Sequence, residues 1–136
     1  MKKSMLLTVL AVIFLLLAGC GGGAKSGSDK INVTMTDFHF TPDTFTIPAG
    51  KEITFTGRND GAVTHDFVIM KSGTSVGDSF GPEDEANVFW KTEIPAGQNL
   101  TQTFTGPTQP GEYEVLCAIP GHYQAGMSAK LTVVAP

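Results

Sequence analysis

A cysteine, a histidine and a methionine follow one another at five-residue intervals near the end of the chain, as Cys117, His122 and Met127. Their thiolate, imidazole and thioether groups are the ligands preferred by a copper ion that alternates between Cu(I) and Cu(II). A fourth ligand has to come from elsewhere, and His65 is the best candidate because it opens another apolar segment. Two histidines, one cysteine and a weak axial methionine form the usual copper site for electron transfer.

Other interpretations of these residues stay open at this level. Gln124 is a fallback axial donor, whereas His39 fits a surface histidine on a strand. A thiol hydrolase would use Cys117 as nucleophile with a histidine base, but the cysteine ends a predicted core strand, which disfavours this interpretation. The ligand set alone does not separate an electron carrier from a copper carrier or storage protein.

Alternation of apolar and polar residues predicts short β-strands along most of the chain. Residues 71–89 interrupt the pattern with several glycines and are expected to form a long surface excursion, with one helical turn at 83–86. Turn signals and scarce helical sequence favour an all-β fold, an antiparallel Greek-key β-sandwich of about eight strands. The predicted strands cover residues 31–36, 44–47, 52–56, 65–70, 90–94, 99–105, 112–117 and 127–134.

Strand parity predicts where the candidate ligands point, since side chains two residues apart share a face of a strand. Cys117 has the parity of Val115, and Met127 and His65 take similar core-facing positions on their own strands. His122 lies in the loop between two of these strands. We therefore expect four donors to converge in a dry pocket at one end of the sandwich.

The residues that flank His122 are apolar. Ile119, Pro120 and Tyr123 would form a collar around one edge of the imidazole. Such a collar would serve as a docking patch for a redox protein partner, of cytochrome, reductase or oxidase type, through which an electron could leave.

The N-terminal segment has the organisation of a secretory signal. Lys2 and Lys3 precede an apolar run over residues 5–18, which is shorter than the roughly 20 residues of a transmembrane helix. The run ends in Leu17–Ala18–Gly19–Cys20, which resembles a bacterial lipobox, so cleavage and lipidation are expected at Cys20. The alternative is an ordinary signal peptide with a chance cysteine.

These segments divide the chain into a signal peptide (1–19), a lipidated cysteine with a flexible linker (20–30) and one domain (31–136). The protein is then expected outside the cytoplasm, in the cell envelope, tethered to a membrane by lipid. Without Lys2 and Lys3, seven basic and thirteen acidic residues remain, a net charge of −6. This excess of acid argues against nucleic acid as a partner, and we expect a monomer.

Two segments together resemble the cupredoxins, of the auracyanin and azurin type. They are Asn59–Asp60–Gly61–Ala62–Val63–Thr64–His65–Asp66–Phe67 and the loop from Cys117 to Met127. The resemblance spans residues 31–136 and implies one type 1 copper ion and one-electron transfer, not enzymatic catalysis. It also makes Asn59 and Asp66 candidates to support the ligands, although those families often carry asparagine at the position of Asp66.

Overall fold

The computed structural model describes residues 26–136, within which nine strands form two sheets. The first sheet has the order β2-β1-β4-β7 and the second β3-β9-β8-β5-β6. The strands are β1 (Lys30–Thr36), β2 (His39–Thr41), β3 (Thr44–Pro48), β4 (Glu52–Asn59), β5 (His65–Met70), β6 (Val88–Ile94), β7 (Asn99–Thr105), β8 (Gly111–Leu116) and β9 (Ser128–Val134).

The predicted β-sandwich is confirmed, and the chain passes between the two sheets at the β2–β3, β3–β4, β4–β5, β6–β7 and β7–β8 connections. The ninth strand is the short β2, which the sequence pattern had merged into a turn. The expectation of a purely antiparallel fold is wrong, because β1 pairs with β4 and β3 with β9 in parallel. Parallel neighbours arise here because the chain returns to a sheet through the other layer.

Side chains from both sheets fill the space between them, as parity predicted. Phe67 lies at the centre of this core and makes aromatic contacts with Phe40, Phe45 and Phe55, at centroid distances of 5.4, 5.6 and 5.0 Å. Cys117 and Met127 belong to the same buried cluster. The candidate ligands are therefore continuous with the main core.

Residues 71–89 form more than a surface excursion, because they cover the outer face of the second sheet. Val68, Met70 and Leu116 point to that face and are fully buried together with Val76 from the excursion. A short 3-10 helix (Glu85–Asn87) stands where a helical turn was expected. The sheet that carries the ligands is thus packed on both sides, which limits its movement.

The last residues of the predicted linker already contact the domain. Ser28 donates its main-chain N–H to Thr46, and Asp29 accepts one from Thr54, both at 2.8 Å. The signal peptide, Cys20 and the first part of the linker lie outside the described residues. No helix within residues 26–136 is long and apolar enough to cross a membrane.

Candidate metal centre

The four predicted ligands occur at the ends of three strands of the second sheet and in one loop. His65 is the first residue of β5, Cys117 follows β8 directly, and Met127 precedes β9. His65, Cys117 and Met127 are fully buried, and only 7% of His122 is exposed. The structure therefore brings all four residues to one end of the sandwich.

Three donor atoms point at a common centre. Nδ1 of His65 and Nδ1 of His122 are 3.1 Å apart, and Sγ of Cys117 lies 4.0 and 3.4 Å from them respectively. The circle through the three atoms has a radius of about 2.1 Å, and metal–nitrogen and metal–sulfur bonds measure roughly 2.0–2.3 Å. A metal ion fits at that centre without movement of the side chains.

Main-chain hydrogen bonds hold the ligand loop in a closed shape. The N–H of Met127 donates to the carbonyl of His122 at 3.0 Å, and the N–H of Cys117 donates to the carbonyl of Met127 at 3.1 Å. Both contacts tie Met127 to the other two ligands. Met127, whose side chain is fully buried, is thus held close to the other ligands, whereas Gln124, the fallback donor, is exposed.

The cysteine sulfur is buried and accepts a main-chain hydrogen bond. The main-chain N–H of Asp66 donates to Sγ at 3.3 Å. Burial raises the pKa of the Cys117 thiol, and N–H groups of Asp66 and Ile119 oppose that rise. Since a metal ion deprotonates the cysteine that binds it, these donors would meet the negative charge that metal binding leaves on the sulfur.

His65 is suited to binding a metal through its neutral form. Burial lowers the pKa of His65, and the neighbouring His122 lowers it further, against the smaller opposing effect of Asp37. With its proton on Nε2, His65 presents the Nδ1 lone pair to the centre. Three lone pairs that converge in a buried site repel one another unless a cation lies between them.

The chemistry of this donor set selects the metal. Zinc in structural sites takes four strong ligands, whereas two imidazoles, one thiolate and a thioether are the set of a type 1 copper ion. Ligation by His65, Cys117, His122 and Met127 remains the prediction that metal-binding experiments have to test.

Asn59 closes the loop that leads to His65. Its side-chain amide is fully buried and donates to the carbonyls of Val63 and Ile94, both at 2.8 Å. Its Oδ1 accepts the N–H of Gly61 at 2.9 Å. This one side chain therefore links the end of β4, the 60–64 loop and the end of β6.

The Asp66 side chain lies on the outer face of its sheet, away from the metal centre. It stands opposite Glu93 on β6, and burial, together with the charge of Glu93, raises the pKa of Asp66 to about 6. The tie between the two ligand segments comes from the Asp66 main-chain N–H, which any residue except proline provides. An aspartate therefore keeps that hydrogen bond at a position where the similar families often have asparagine.

The three residues of the predicted docking collar differ in exposure, and whether they form a docking patch stays a prediction. Pro120 is exposed, but Ile119 packs partly against the main core and Tyr123 against the outer-face cluster, where its hydroxyl donates to Glu114. Phe38 also lies at this surface: it packs edge-on against His122, with ring centroids 5.2 Å apart, and is 41% exposed. Sequence reasoning missed Phe38 because it lies 84 positions before His122, and no local pattern marks it.

Fold and site together define a β-sandwich metalloprotein with a preformed two-histidine, one-cysteine centre. The family model of the cupredoxin-like domain matches residues 7–133. The chain belongs to the cupredoxin-like family, and copper is the metal that its donor set fits.

Several known proteins are similar over most of the chain. Auracyanin-A of Chloroflexus aurantiacus is 29% identical over 96% of both chains, and the copper-resistant cuproprotein CopI of Rubrivivax gelatinosus is 30% identical over 85% of this chain and 72% of its own. A structure of dithionite-reduced auracyanin from Roseiflexus castenholzii superposes with a TM-score of 0.67, at 30% identity, over 80% of this chain and 99% of the other.

Proposed function

We propose that the protein is a one-electron carrier with a mononuclear type 1 copper site. The observation that carries this proposal is the centre formed by His65, Cys117 and His122, whose donor atoms already surround a point at metal-bond distance. When bound, copper supplies the Cu(I)/Cu(II) couple. The doubly packed sheet and the hydrogen-bonded loop hold the ligands in one arrangement for both oxidation states, which keeps the reorganisation on electron transfer small.

The electron would pass at the end of the sandwich where His122 approaches the surface. His122 is the least buried of the four ligands, and Phe38 and Pro120 add exposed apolar surface beside it. A small apolar patch of this kind suits brief contact with a redox protein, because such complexes bury little area and separate quickly. The similarity to auracyanin, which is known in a dithionite-reduced form, supports a redox role.

The decisive experiment is the visible spectrum of the purified protein loaded with Cu(II). We expect an intense thiolate-to-Cu(II) charge-transfer band that disappears on reduction and returns on reoxidation without loss of metal. A colourless copper complex would contradict the proposal.

Substitution of the cysteines tests the ligand assignment. Cys117→Ser should abolish the band while the circular dichroism spectrum keeps its β-sheet character, because serine fills nearly the same volume but does not offer a thiolate. Cys20→Ser is the matched control and should keep the full band. Retention of the band in Cys117→Ser would show that another group binds the copper.

A copper carrier or storage protein is the second candidate, and the similarity to CopI, a copper-resistant cuproprotein, favours it. The two functions differ in what happens to the metal. A carrier or storage protein should release its copper readily to a chelator or to an acceptor protein. An electron carrier should keep the copper through many redox cycles and exchange electrons rapidly with a small cytochrome.

An enzyme that uses Cys117 as nucleophile is disfavoured by the site. The sulfur is fully buried, and burial raises the pKa of the thiol. A catalytic cysteine needs an accessible thiolate. Alkylation of the folded, metal-free protein should therefore be slow at Cys117 compared with the denatured protein.

We also propose that lipid on Cys20 tethers the domain to the outside of the cytoplasmic membrane or to another envelope membrane. Support comes from the sequence of residues 1–20 and from the linker that follows. Growth with a labelled fatty acid should label the wild type, whereas Cys20→Ser should carry no label and should leave the membrane fraction. Wild-type protein without label would contradict the proposal.

A further inference from the structure

The turn between β1 and β2 reaches over both histidines of the metal centre. Asp37 and Phe38 form this turn, and Phe38 lies edge-on against His122. The carboxylate of Asp37 approaches the opposite side of His65, with Oδ1 at 3.5 Å from Nε2. Neither residue belongs to the predicted ligand segments, so this contact is a second layer of structure around the site.

Nε2 of His65 needs an acceptor. Among the residues that the structure describes, it is the one buried side-chain nitrogen or oxygen without a hydrogen-bond partner. A buried donor left unpaired destabilises the folded state. Asp37 Oδ1 stands only slightly beyond the roughly 2.7–3.2 Å of a good hydrogen bond, and a small side-chain rotation would complete the contact.

Two features keep the carboxylate at this position. Oδ1 of Asp37 accepts the main-chain N–H of Ala62 at 3.1 Å. Gly61 leaves the space free, since a Cβ at this position would lie 2.6 Å from Asp37 Oδ1 and 2.6 Å from His65 Nε2. The turn that carries Asp37 also has an unusual shape, because the next residue, Phe38, takes a left-handed backbone conformation with φ of 67°, which is uncommon for a large side chain.

We propose that Asp37 is a positioning residue for the metal centre, a carboxylate that accepts a hydrogen bond from the Nε2–H of His65. The proposal has two consequences, one for the metal-free protein and one for the copper-loaded protein, and only the second rests on the proposed function. First, this hydrogen bond keeps the proton of His65 on Nε2 and leaves the Nδ1 lone pair free to face the metal. Second, a negative charge next to the ligand stabilises Cu(II) more than Cu(I), because the ion with the larger charge is attracted more strongly. Asp37 thereby lowers the reduction potential.

The first consequence is tested on the metal-free protein by nitrogen-15 NMR of the imidazoles. In the wild type, His65 should carry its proton on Nε2. Asp37→Ala should reduce that preference, whereas Asp37→Asn keeps an acceptor oxygen for both His65 and Ala62 and should preserve it. An unchanged tautomer in a folded Asp37→Ala variant would overturn the hydrogen-bond role, and if that variant does not fold, an altered tautomer in Asp37→Asn would overturn it.

The second consequence is tested by the midpoint potential of the copper-loaded variants. Asp37→Asn should raise the potential, and by at least twice the change in Asp60→Asn. Asp60 is a matched control in the same region, because its carboxylate pairs with Arg58 on the surface rather than with His65. Equal shifts in the two variants, or no rise in Asp37→Asn, would overturn the electrostatic role.

The two arms separate this inference from the proposed function. If the wild type binds no redox-active copper, the electron-carrier proposal fails and the electrostatic role fails with it. The NMR arm still decides whether Asp37 holds His65, because it needs no metal.

Discussion

Asn59 offers a quantitative test of how the His65 loop is held. Asn59→Ala removes three hydrogen bonds, two donated to the carbonyls of Val63 and Ile94 and one accepted from Gly61. Each lost bond costs about 1 kcal/mol, and the buried carbonyl of Ile94 loses the donor that Asn59 supplies. We expect the free energy of unfolding to fall by about 3–4 kcal/mol.

The measurement is urea unfolding of the metal-free protein, followed by circular dichroism. For a domain of this size, such a loss corresponds to a fall in Tm of about 10–20 °C. The matched control is Asn99→Ala on β7, where the residue is exposed. This substitution should change the free energy of unfolding by no more than about 0.5 kcal/mol. The m-value should be similar in wild type and both variants, since all unfold from the same compact state.

A second substitution isolates the donated bonds. Asn59→Asp has nearly the same shape, but at neutral pH its carboxylate accepts hydrogen bonds and donates none. It would face the carbonyls of Val63 and Ile94 in a buried site, so we expect at least as large a loss as in Asn59→Ala. A loss below about 1 kcal/mol in both variants would refute the view that this side chain holds the loop.

Two further predictions concern the neighbourhood of the site. The pKa of Asp66 is raised from 3.8 to about 6, so the folded metal-free protein binds the proton more tightly than the unfolded chain, and stability should fall as pH rises from about 4 to 6. Asp66→Asn should therefore stabilise the protein by about 1–2 kcal/mol at pH 7, after allowance for solvent screening, with no gain at pH 4; an equal gain at both values would contradict the charge explanation. Gly61→Ala should push Asp37 away from His65 and cost about 1–3 kcal/mol by overpacking, whereas Gly77→Ala meets no atom within 4 Å and should be neutral. Equal unfolding midpoints for the two glycine variants would show that the loop adjusts freely.

Much of the candidate site was predictable because it depends on local patterns. The spacing of Cys117, His122 and Met127 indicates the donor chemistry, and alternation along each strand indicates which side faces the core. His65 joined the set through its place at the start of an apolar strand. The structure places each of these residues where the patterns predicted, buried at one end of the sandwich.

Predictions failed where a contact depends on which strands become neighbours. The sequence did not indicate that Tyr123 packs toward the outer face of the sheet, where Glu114 accepts both its hydroxyl and the N–H of Val76. Whether Ile119, Pro120 and Tyr123 form a docking collar stays a prediction. The parallel pairings were missed for the same reason, since alternation has the same period in parallel and antiparallel strands.

The sequence by itself determined the type of fold, the donor set and the core-facing side of each strand that carries a ligand. Residue type and periodicity depend on a few neighbouring positions in the chain, so they can be interpreted without knowing which strands become neighbours. Only the tertiary structure decided what surrounds the donors: Asp37 at the far nitrogen of His65, Phe38 against His122, and the bonds by which Asn59, already a candidate through the resemblance, closes the loop. The first two contacts join residues 28 and 84 positions apart, and the third also ties the loop to β6. Such contacts depend on the closure of two sheets around a shared core, which no local pattern specifies.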